Sequence, residues 1–373
     1  MIIGVPREIK CCENRVSLIP SSVKTLIEND NVVYVQKGAG ERIGFSDEMY
    51  LNAGAKIVDT PDEIYDKAEI IVKVKELQKS EYSLLKNNQT VVTYFHLAIE
   101  PELVDILLKK HITAIAYETI EKEDGSLPLL SPMSEIAGKM SVHIGARYLQ
   151  NDFGGIGKLL GGVPGVYPST VLIVGAGVVG ANAARVALGL GANVVVTDIC
   201  PNKLKEIDRA FNGEISTVIC NDYNLEKFIK QADIVIGAVL IPSKKAPHII
   251  KDYMVQSMKK GSVIVDVSID QGGIVETIEG PTSIDSPVFE KYGVVHYAVP
   301  NIPSCVARTA TISLNNYTMP YILKLATKGF IAAVKSTPEL YKGVNTFHGK
   351  LTNPDVAKSL GYPYSELSML IGF

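Results

Sequence analysis

Cysteine is scarce in this chain of 373 residues: there are five, an odd number, with no CxxC pair. That excludes a disulfide framework and a paired-thiolate metal site, and it fits a reducing compartment. Cys11 and Cys12 are adjacent, which suits buried thiols better than a bridge. Charge of one sign is lacking too. The net charge is −3 with no long basic run, so neither nucleic acid nor an anionic membrane is an expected partner. The six histidines show no HxxxH and no His/Cys cluster, so no metal is expected. The opening MIIGVPREIK has no long apolar core with a cleavage site, which argues against a signal peptide and for a cytoplasmic location. Residues 170–198 are apolar enough to suggest a membrane span, but Asn182, Arg185 and the interspersed glycines argue against one.

What is present is an ordinary globular composition, 46% hydrophobic, in a chain long enough for two domains with real cores. The organising stretch is STVLIVGAGVVGANAARVALGLGANVVVTD, residues 169–198. A β-branched run, Val171–Val174, reads as a strand buried on both faces. Gly175, Gly177 and Gly180 follow in the spacing GxGxxG, then a helical pattern, then a second strand ending at Asp198. The physical reading is a tight turn at Gly175, close backbone approach to a pyrophosphate at Gly177, and helix-on-sheet packing at Gly180. Asp198, 18 residues beyond Gly180, stands where a ribose 2′-hydroxyl needs an acceptor. A carboxylate there repels a 2′-phosphate, so NAD is expected over NADP. Lys203 is near enough in sequence to soften that preference.

Before this stretch, strand patterns at 2–5, 32–35, 56–58, 70–74, 90–95 and 112–116 alternate with helical patterns at 20–28, 47–53, 61–66, 80–86 and 101–109. Such alternation predicts a mostly parallel sheet covered on both faces. A long helix is predicted over 134–151 as the crossing between domains, followed by the loop GGIGKLLGGVPGVYP. The second unit has strand patterns at 171–174, 193–197, 215–219, 233–237, 262–267 and 294–298. A second long helix, about 309–328, is predicted to carry the chain back to the first domain.

In open parallel sheets ligands sit beyond the carboxyl ends of the strands. Arg15 follows the first strand, Lys75 ends IIVKVK, His96 ends TVVTYFH, and Asp270 follows SVIVDVSI. Four ionisable residues after four strands in two domains would line one cleft. Each has a plainer alternative. Arg15 could be a solvated loop arginine. Either Lys73 or Lys75, in the charged KVKE, could be merely exposed. His96 could be a hydrogen-bonded core residue instead of an acid/base. Asp266 or Asp270 could simply cap a turn. His111, His143, His248, His296 and His348 read as structural or exposed.

The chain resembles the bacterial alanine dehydrogenase family nearly end to end. The resemblance is carried by GVPREIKCCENRVSLIP (4–20), KVKE (73–76), HLA (96–98), AYETI (116–120) and LPLLSPMSEIAGKM (127–140). It continues through GGVPGV (161–166), GAGVVG (175–180), ADIVIGAVLIP (232–242), VDVSIDQGG (265–273), YAVPNIPS (297–304) and TMPY (318–321). It implies an α/β fold of two Rossmann-like doubly wound domains. The NAD-binding domain, 129–304, would be inserted between the two segments, 1–128 and 305–373, of the substrate domain. It also implies reversible oxidative deamination of L-alanine by NAD to pyruvate and ammonium, in a homohexamer; the two-domain layout adds the expectation that domain closure excludes water. Arg15 would then bind the substrate carboxylate and Lys75 its carbonyl oxygen or carboxylate. His96 would be the general acid/base, and Asp270 would position or activate water. The cofactor contacts implied, beside the three glycines and Asp198, are Ser134, Lys203, Val239, Leu240 and Asn301.

The sequence departs from the family pattern at Cys220, where serine is common, at VSID for VAID, and at Pro300 before Asn301. Two alternatives stay on the same scaffold: a transhydrogenase α-subunit-like protein, and a dehydrogenase for another small 2-amino acid. A third, of a different class, is an NAD-binding regulator without turnover.

Overall fold

A computed structural model describes residues 1–239 and 246–372. The Leu240 expectation lies outside them. In chain order the strands are β1 (Ile2–Val5), β2 (Val32–Gln36), β3 (Lys56–Val58), β4 (Ile70–Val72), β5 (Thr90–Thr93), β6 (Thr113–Ala116), β7 (Thr170–Val174) and β8 (Asn193–Asp198). They continue as β9 (Ser216–Ile219), β10 (Ile234–Gly237), β11 (Val263–Asp266), β12 (Val288–Lys291), β13 (Val294–Tyr297), β14 (Val344–Phe347) and β15 (Lys350–Leu351). The chain divides into two units, Met1–Met133 with Ser304–Phe373, and Ser134–Pro303.

The first unit holds an eight-stranded sheet in the order β15-β14-β6-β5-β4-β1-β2-β3. Its strands β1 to β6 are parallel, and β14 and β15 add antiparallel at one edge. The second unit repeats the plan with seven strands, β12-β13-β11-β10-β7-β8-β9, parallel except for β12. In both, six parallel strands run 3-2-1-4-5-6. This is the doubly wound order, with a switch point beside the first strand where ligands settle. The apolar runs explain the parallel sheets: β4, β6, β10 and β11 are buried along their whole length, as strands covered on both faces must be.

The α/β alternation expected from the sequence holds, with three differences. First, residues 80–86 are not helical; a single 3₁₀ turn, Lys79–Glu81, stands there. The carboxylate of Glu81 turns inward instead, accepting hydrogen bonds from Tyr65 Oη at 2.9 Å, Lys73 Nζ at 2.9 Å and the Gln78 backbone N–H at 2.8 Å. Pairing a buried ammonium outweighs one more turn of exposed helix. Second, the sequence pattern does not announce β12, β14 and β15, which are short and of mixed polarity; β12 and β15 are edge strands and β14 lies between β15 and β6. Third, Cys11 is exposed and Cys12 half-buried, so the adjacent thiols are not core residues.

The long helix Ser131–Tyr148 starts three residues earlier than expected. The second long helix, Ala307–Lys328, is as anticipated within two residues. It braces the loop after β1. Asn315 accepts from Ser22 Oγ at 2.6 Å and Ile19 N at 3.2 Å and donates to Ser17 O at 3.3 Å, while Thr311 Oγ1 accepts from Val16 N at 3.2 Å. Among the described residues no helix is long and apolar enough to cross a membrane.

His296, in β13, is structural. It is fully buried, with Thr277 Oγ1 at 2.8 Å and Val294 O at 2.9 Å from its ring nitrogens. Burial lowers its pKa to about 4. As pH falls from about 6.5 the unfolded chain takes up a proton that the folded chain refuses, and stability drops until about pH 4. Burial acts on Asp266 with the opposite sign, raising it to about 6, so stability falls there as pH rises from about 4 to 6. His296→Asn is predicted to unfold more easily at pH 7 but to lose about 3 kcal/mol less than wild type between pH 7 and pH 4. The Asp266 contribution is common to both proteins and cancels. Urea midpoints at the two pH values measure this; equal pH dependence in both proteins would contradict it.

Candidate active site

The loops after β1, β4 and β5 leave the carboxyl ends of three neighbouring parallel strands, and they carry Arg15, Lys75 and His96. All three belong to the first unit.

Arg15 is not a solvated arginine. It is 2% exposed and gripped side-on by Glu13, through Nε to Oε1 at 2.7 Å and Nη2 to Oε2 at 2.6 Å. Its Nη1 lies 3.2 Å from the sulfur of Met133. Burial alone would lower its pKa, but the Glu13 carboxylate outweighs burial and the guanidinium stays charged. A bidentate pair fixes the plane of the fork as well as its charge.

Neither lysine of KVKE is merely exposed. Lys73 is wholly buried between Glu8, 3.2 Å away, and Glu81. Lys75 is half-buried. Its carbonyl accepts from Thr93 Oγ1 at 2.8 Å, which ties the β4 loop to β5.

His96 is not a core histidine, since its side chain is 41% exposed. Its backbone is left-handed, φ 54, a conformation that costs a residue with a Cβ. Glu118, just after β6, holds it there, accepting from His96 N at 2.6 Å and from Phe95 N at 3.1 Å. Glu76 stands 3.6 Å from His96 Nδ1 and also pairs with Lys10. Burial pushes the Glu76 carboxyl up, but the nearby His96 ring, the hydrogen bond and charge of Lys10 and the charge of Lys75 hold it far below the usual range. A carboxylate on the Nδ1 side favours one orientation of the ring.

Glu13, Glu76 and Glu118 were missed by sequence reasoning. Each lies inside a motif already singled out: in ENRV and KVKE only the neighbouring cation was given a role, and in AYETI no residue was.

In the second unit the glycine motif forms the tight strand-to-helix turn anticipated. Gly175 has φ +114, and a Cβ there would lie 2.4 Å from Ala238 O. A Cβ on Gly180 would lie 1.8 Å from Gly175 O and 3.3 Å from Ile173 Cγ2. A Cβ on Gly177 would meet nothing within 4 Å, so space stays open where the helix Val178–Gly189 begins without a side-chain cap. Uncapped N–H groups beside open space are what a pyrophosphate needs.

Asp198 closes the turn. One carboxylate oxygen accepts from Ala176 N and the other from Cys200 N, each at 2.8 Å, and each oxygen has a second lone pair for a ribose hydroxyl. Val239 packs over the turn, its Cγ2 3.2 Å from a Cβ built on Gly175, and its N–H donates to Ser268 Oγ at 3.1 Å. Ser134 is half-buried in the first turn of its helix, and Lys203 is exposed. Burial first, then the carboxylates of Asp198 and Asp222, raise the Cys220 thiol.

Asp266 and Asp270 have separate tasks. Asp266 is buried and caps the turn after β11, accepting from Ser268 N at 3.0 Å and Ile274 N at 2.8 Å. Asp270 is exposed and accepts from Asn301 N at 3.1 Å. Asn301 itself is left-handed, φ 58, which asparagine tolerates well. Among the described residues no group of three or more His, Cys, Asp or Glu could hold a metal ion.

A doubly wound sheet with this turn at its switch point is the arrangement of a dinucleotide-binding protein. Models of the alanine dehydrogenase/PNT N-terminal and C-terminal domains match residues 4–137 and 141–354. The chain belongs to the alanine dehydrogenase/PNT family. It is 52% identical over 365 residues to alanine dehydrogenase of Methanococcus maripaludis, covering 98% of each chain. It is 48% identical to alanine dehydrogenase of Staphylococcus epidermidis over 98% of this chain and 99% of that one. A solved L-alanine dehydrogenase superposes with a TM-score of 0.94 at 46% identity, over 97% of this chain and 99% of that one. A transhydrogenase from Sinorhizobium meliloti shares the fold, with a TM-score of 0.81 at 24% identity and 95% and 99% coverage.

Gly180→Ala tests the turn. With backbone 1.8 Å from the new carbon, the helix must move away from the sheet. The variant is predicted to lose dinucleotide binding at least tenfold and to unfold at lower temperature; unchanged cofactor titration and melting would contradict this geometry.

Proposed function

We infer that this protein catalyses the reversible, NAD-dependent oxidative deamination of L-alanine to pyruvate and ammonium. The observation that carries the reading is the set Arg15, Lys75 and His96 at three adjacent strand ends, on a chain about half identical to alanine dehydrogenases along its length. A pure hydride-exchange partner has no need of an amino-acid site. A regulator without turnover has no need of an ionisable histidine in a strained turn.

Arg15, held in plane by Glu13, binds the substrate carboxylate. Lys75 hydrogen-bonds the carboxylate or, in the reverse direction, the carbonyl oxygen. Together they fix the α-carbon so that its hydrogen points one way. Nicotinamide, when bound, accepts hydride. Loss of hydride from the neutral amine leaves an iminium carbon. Asp270 positions the water that adds there, and His96 Nε2 takes and returns the protons as the carbinolamine collapses to pyruvate and ammonium. The turn of Gly175, Gly177 and Gly180 would hold the pyrophosphate, and Asp198 would accept from the ribose. Ser134, Lys203, Val239, Leu240 and Asn301 complete the cofactor's surroundings. Asp198 selects NAD over NADP. Assembly as a homohexamer in the cytoplasm is part of the same reading.

The test is NADH absorbance with purified protein, NAD and L-alanine at mildly alkaline pH, with NADP and D-alanine as controls. His96→Ala is predicted to lower kcat by about 10²–10⁴ while NAD still binds. No rate in either direction, with NAD bound, would refute the reading.

Two further variants separate the roles. Arg15→Lys keeps the charge but loses the fork; about 1.5–3 kcal/mol of charge-assisted hydrogen bonding predicts a KM for pyruvate about ten to a hundredfold higher. An unchanged KM would remove Arg15 from the site. Asp198→Ala is predicted to bring NADP turnover within reach of NAD turnover. A wild type that uses NADP alone would mean that the carboxylate does not face the ribose.

A further inference from the structure

The loop after β1 carries two thiols that nothing in the proposed reaction uses. Cys11 and Cys12 occupy the two central positions of a turn closed by Glu13 N donating to Lys10 O at 3.1 Å. Cys12 has φ 62. Their sulfurs lie 3.3 Å apart, with Cys11 exposed and Cys12 half-buried. The turn is pinned on both sides. Lys10 pairs with Glu76 and Glu13 pairs with Arg15, so the dithiol is held by its flanks.

Two thiols this close can close on each other or accept one atom between them. Neighbouring Cα atoms across a trans peptide are about 3.8 Å apart, below the about 4.4–6.8 Å that disulfides span. The S–S bond also needs about 2.05 Å, so the turn would have to distort. A single pyramidal atom bonded to both sulfurs asks for no such approach. A linear two-coordinate ion would need the sulfurs on opposite sides of it, and zinc would need about four ligands. Among the described residues no third His, Cys, Asp or Glu joins the pair in a metal-holding group.

We propose that Cys11 and Cys12 form a bidentate site for a trivalent thiophilic centre, of the arsenous or organic arsenoxide class. With phenylarsine oxide, two S–H bonds break and two As–S bonds form. The oxide oxygen leaves as water with both protons, and arsenic stays trivalent, so no oxidant or reductant is needed. The assignment stands independently of the reaction proposed above.

The experiment is titration of the full-length reduced protein with phenylarsine oxide, followed by intact mass and by peptide mapping. One arsenical per chain is expected on the peptide holding Cys11 and Cys12, released by a small dithiol and resistant to the same concentration of a monothiol. Cys11→Ser and Cys12→Asn, the latter tolerant of a left-handed backbone, should each lose the dithiol-specific capture. Replacing Cys200, Cys220 and Cys305 by serine should leave it intact. Capture that survives in Cys11→Ser, or that follows the other three cysteines, would overturn the proposal. So would an air-oxidised protein whose Cys11–Cys12 peptide is found as the internal disulfide and takes no arsenical after mild reduction.

Discussion

Two parallel hydrogen bonds, at 2.7 and 2.6 Å, join Glu13 to Arg15 with both side chains out of water. A buried guanidinium without such a partner would cost several kcal/mol. With it, the loop after β1 can lead a fixed positive charge inward to the carboxyl end of a parallel sheet. Much else in the first unit serves the same loop. Asn315 and Thr311 on the long C-terminal helix take its backbone donors, and Ser17 Oγ ties it to Val72 O at 2.6 Å. The last segment of the chain therefore returns to the first sheet to finish the surroundings of a residue near its start.

The same rule, that charge taken from water must be paired, runs through both units. Lys73 sits between Glu8 and Glu81. Asp233 is met by Lys158 at 2.7 Å and Lys259 at 2.8 Å, which anchors the start of β10. Asp266 lies deep among backbone N–H donors. The pairs in the first unit lie around the residues proposed for the site. Glu118 stabilises the unfavourable backbone of His96, and Glu76 faces its ring. Glu118 fixes the backbone of this exposed histidine, and the buried Glu76 places a charge beside its ring.

Most of the fold was legible in the sequence because parallel strands buried on both faces leave unbroken apolar runs, as in Val171–Val174. The glycine turn was legible for a sharper reason: only glycine fits at positions 175 and 180, where a Cβ would meet backbone at 2.4 and 1.8 Å. The short strands β12, β14 and β15 were not: β12 and β15 are brief hairpin partners at the sheet edges, and β14 pairs with β6, far earlier in the chain. The failed helix at 80–86 shows local propensity losing to a tertiary ion pair. Arg15, Lys75, His96 and Asp270, the residues proposed for the site, do stand after strands. The carboxylates beside Arg15 and His96 could not be picked out, because a glutamate in a charged motif looks solvated until the partner it faces is known.

The most direct measurement is the fate of the α-hydrogen. Purified protein is supplied with NAD and L-alanine deuterated at the α-carbon, and the reduced cofactor is recovered and weighed. Deuterium on the nicotinamide ring, in step with pyruvate formed, is predicted, together with slower turnover in the Arg15→Lys protein at limiting alanine. Pyruvate without deuterium in the cofactor, or bound NAD that is never reduced, would contradict hydride transfer from an amino acid anchored by Arg15.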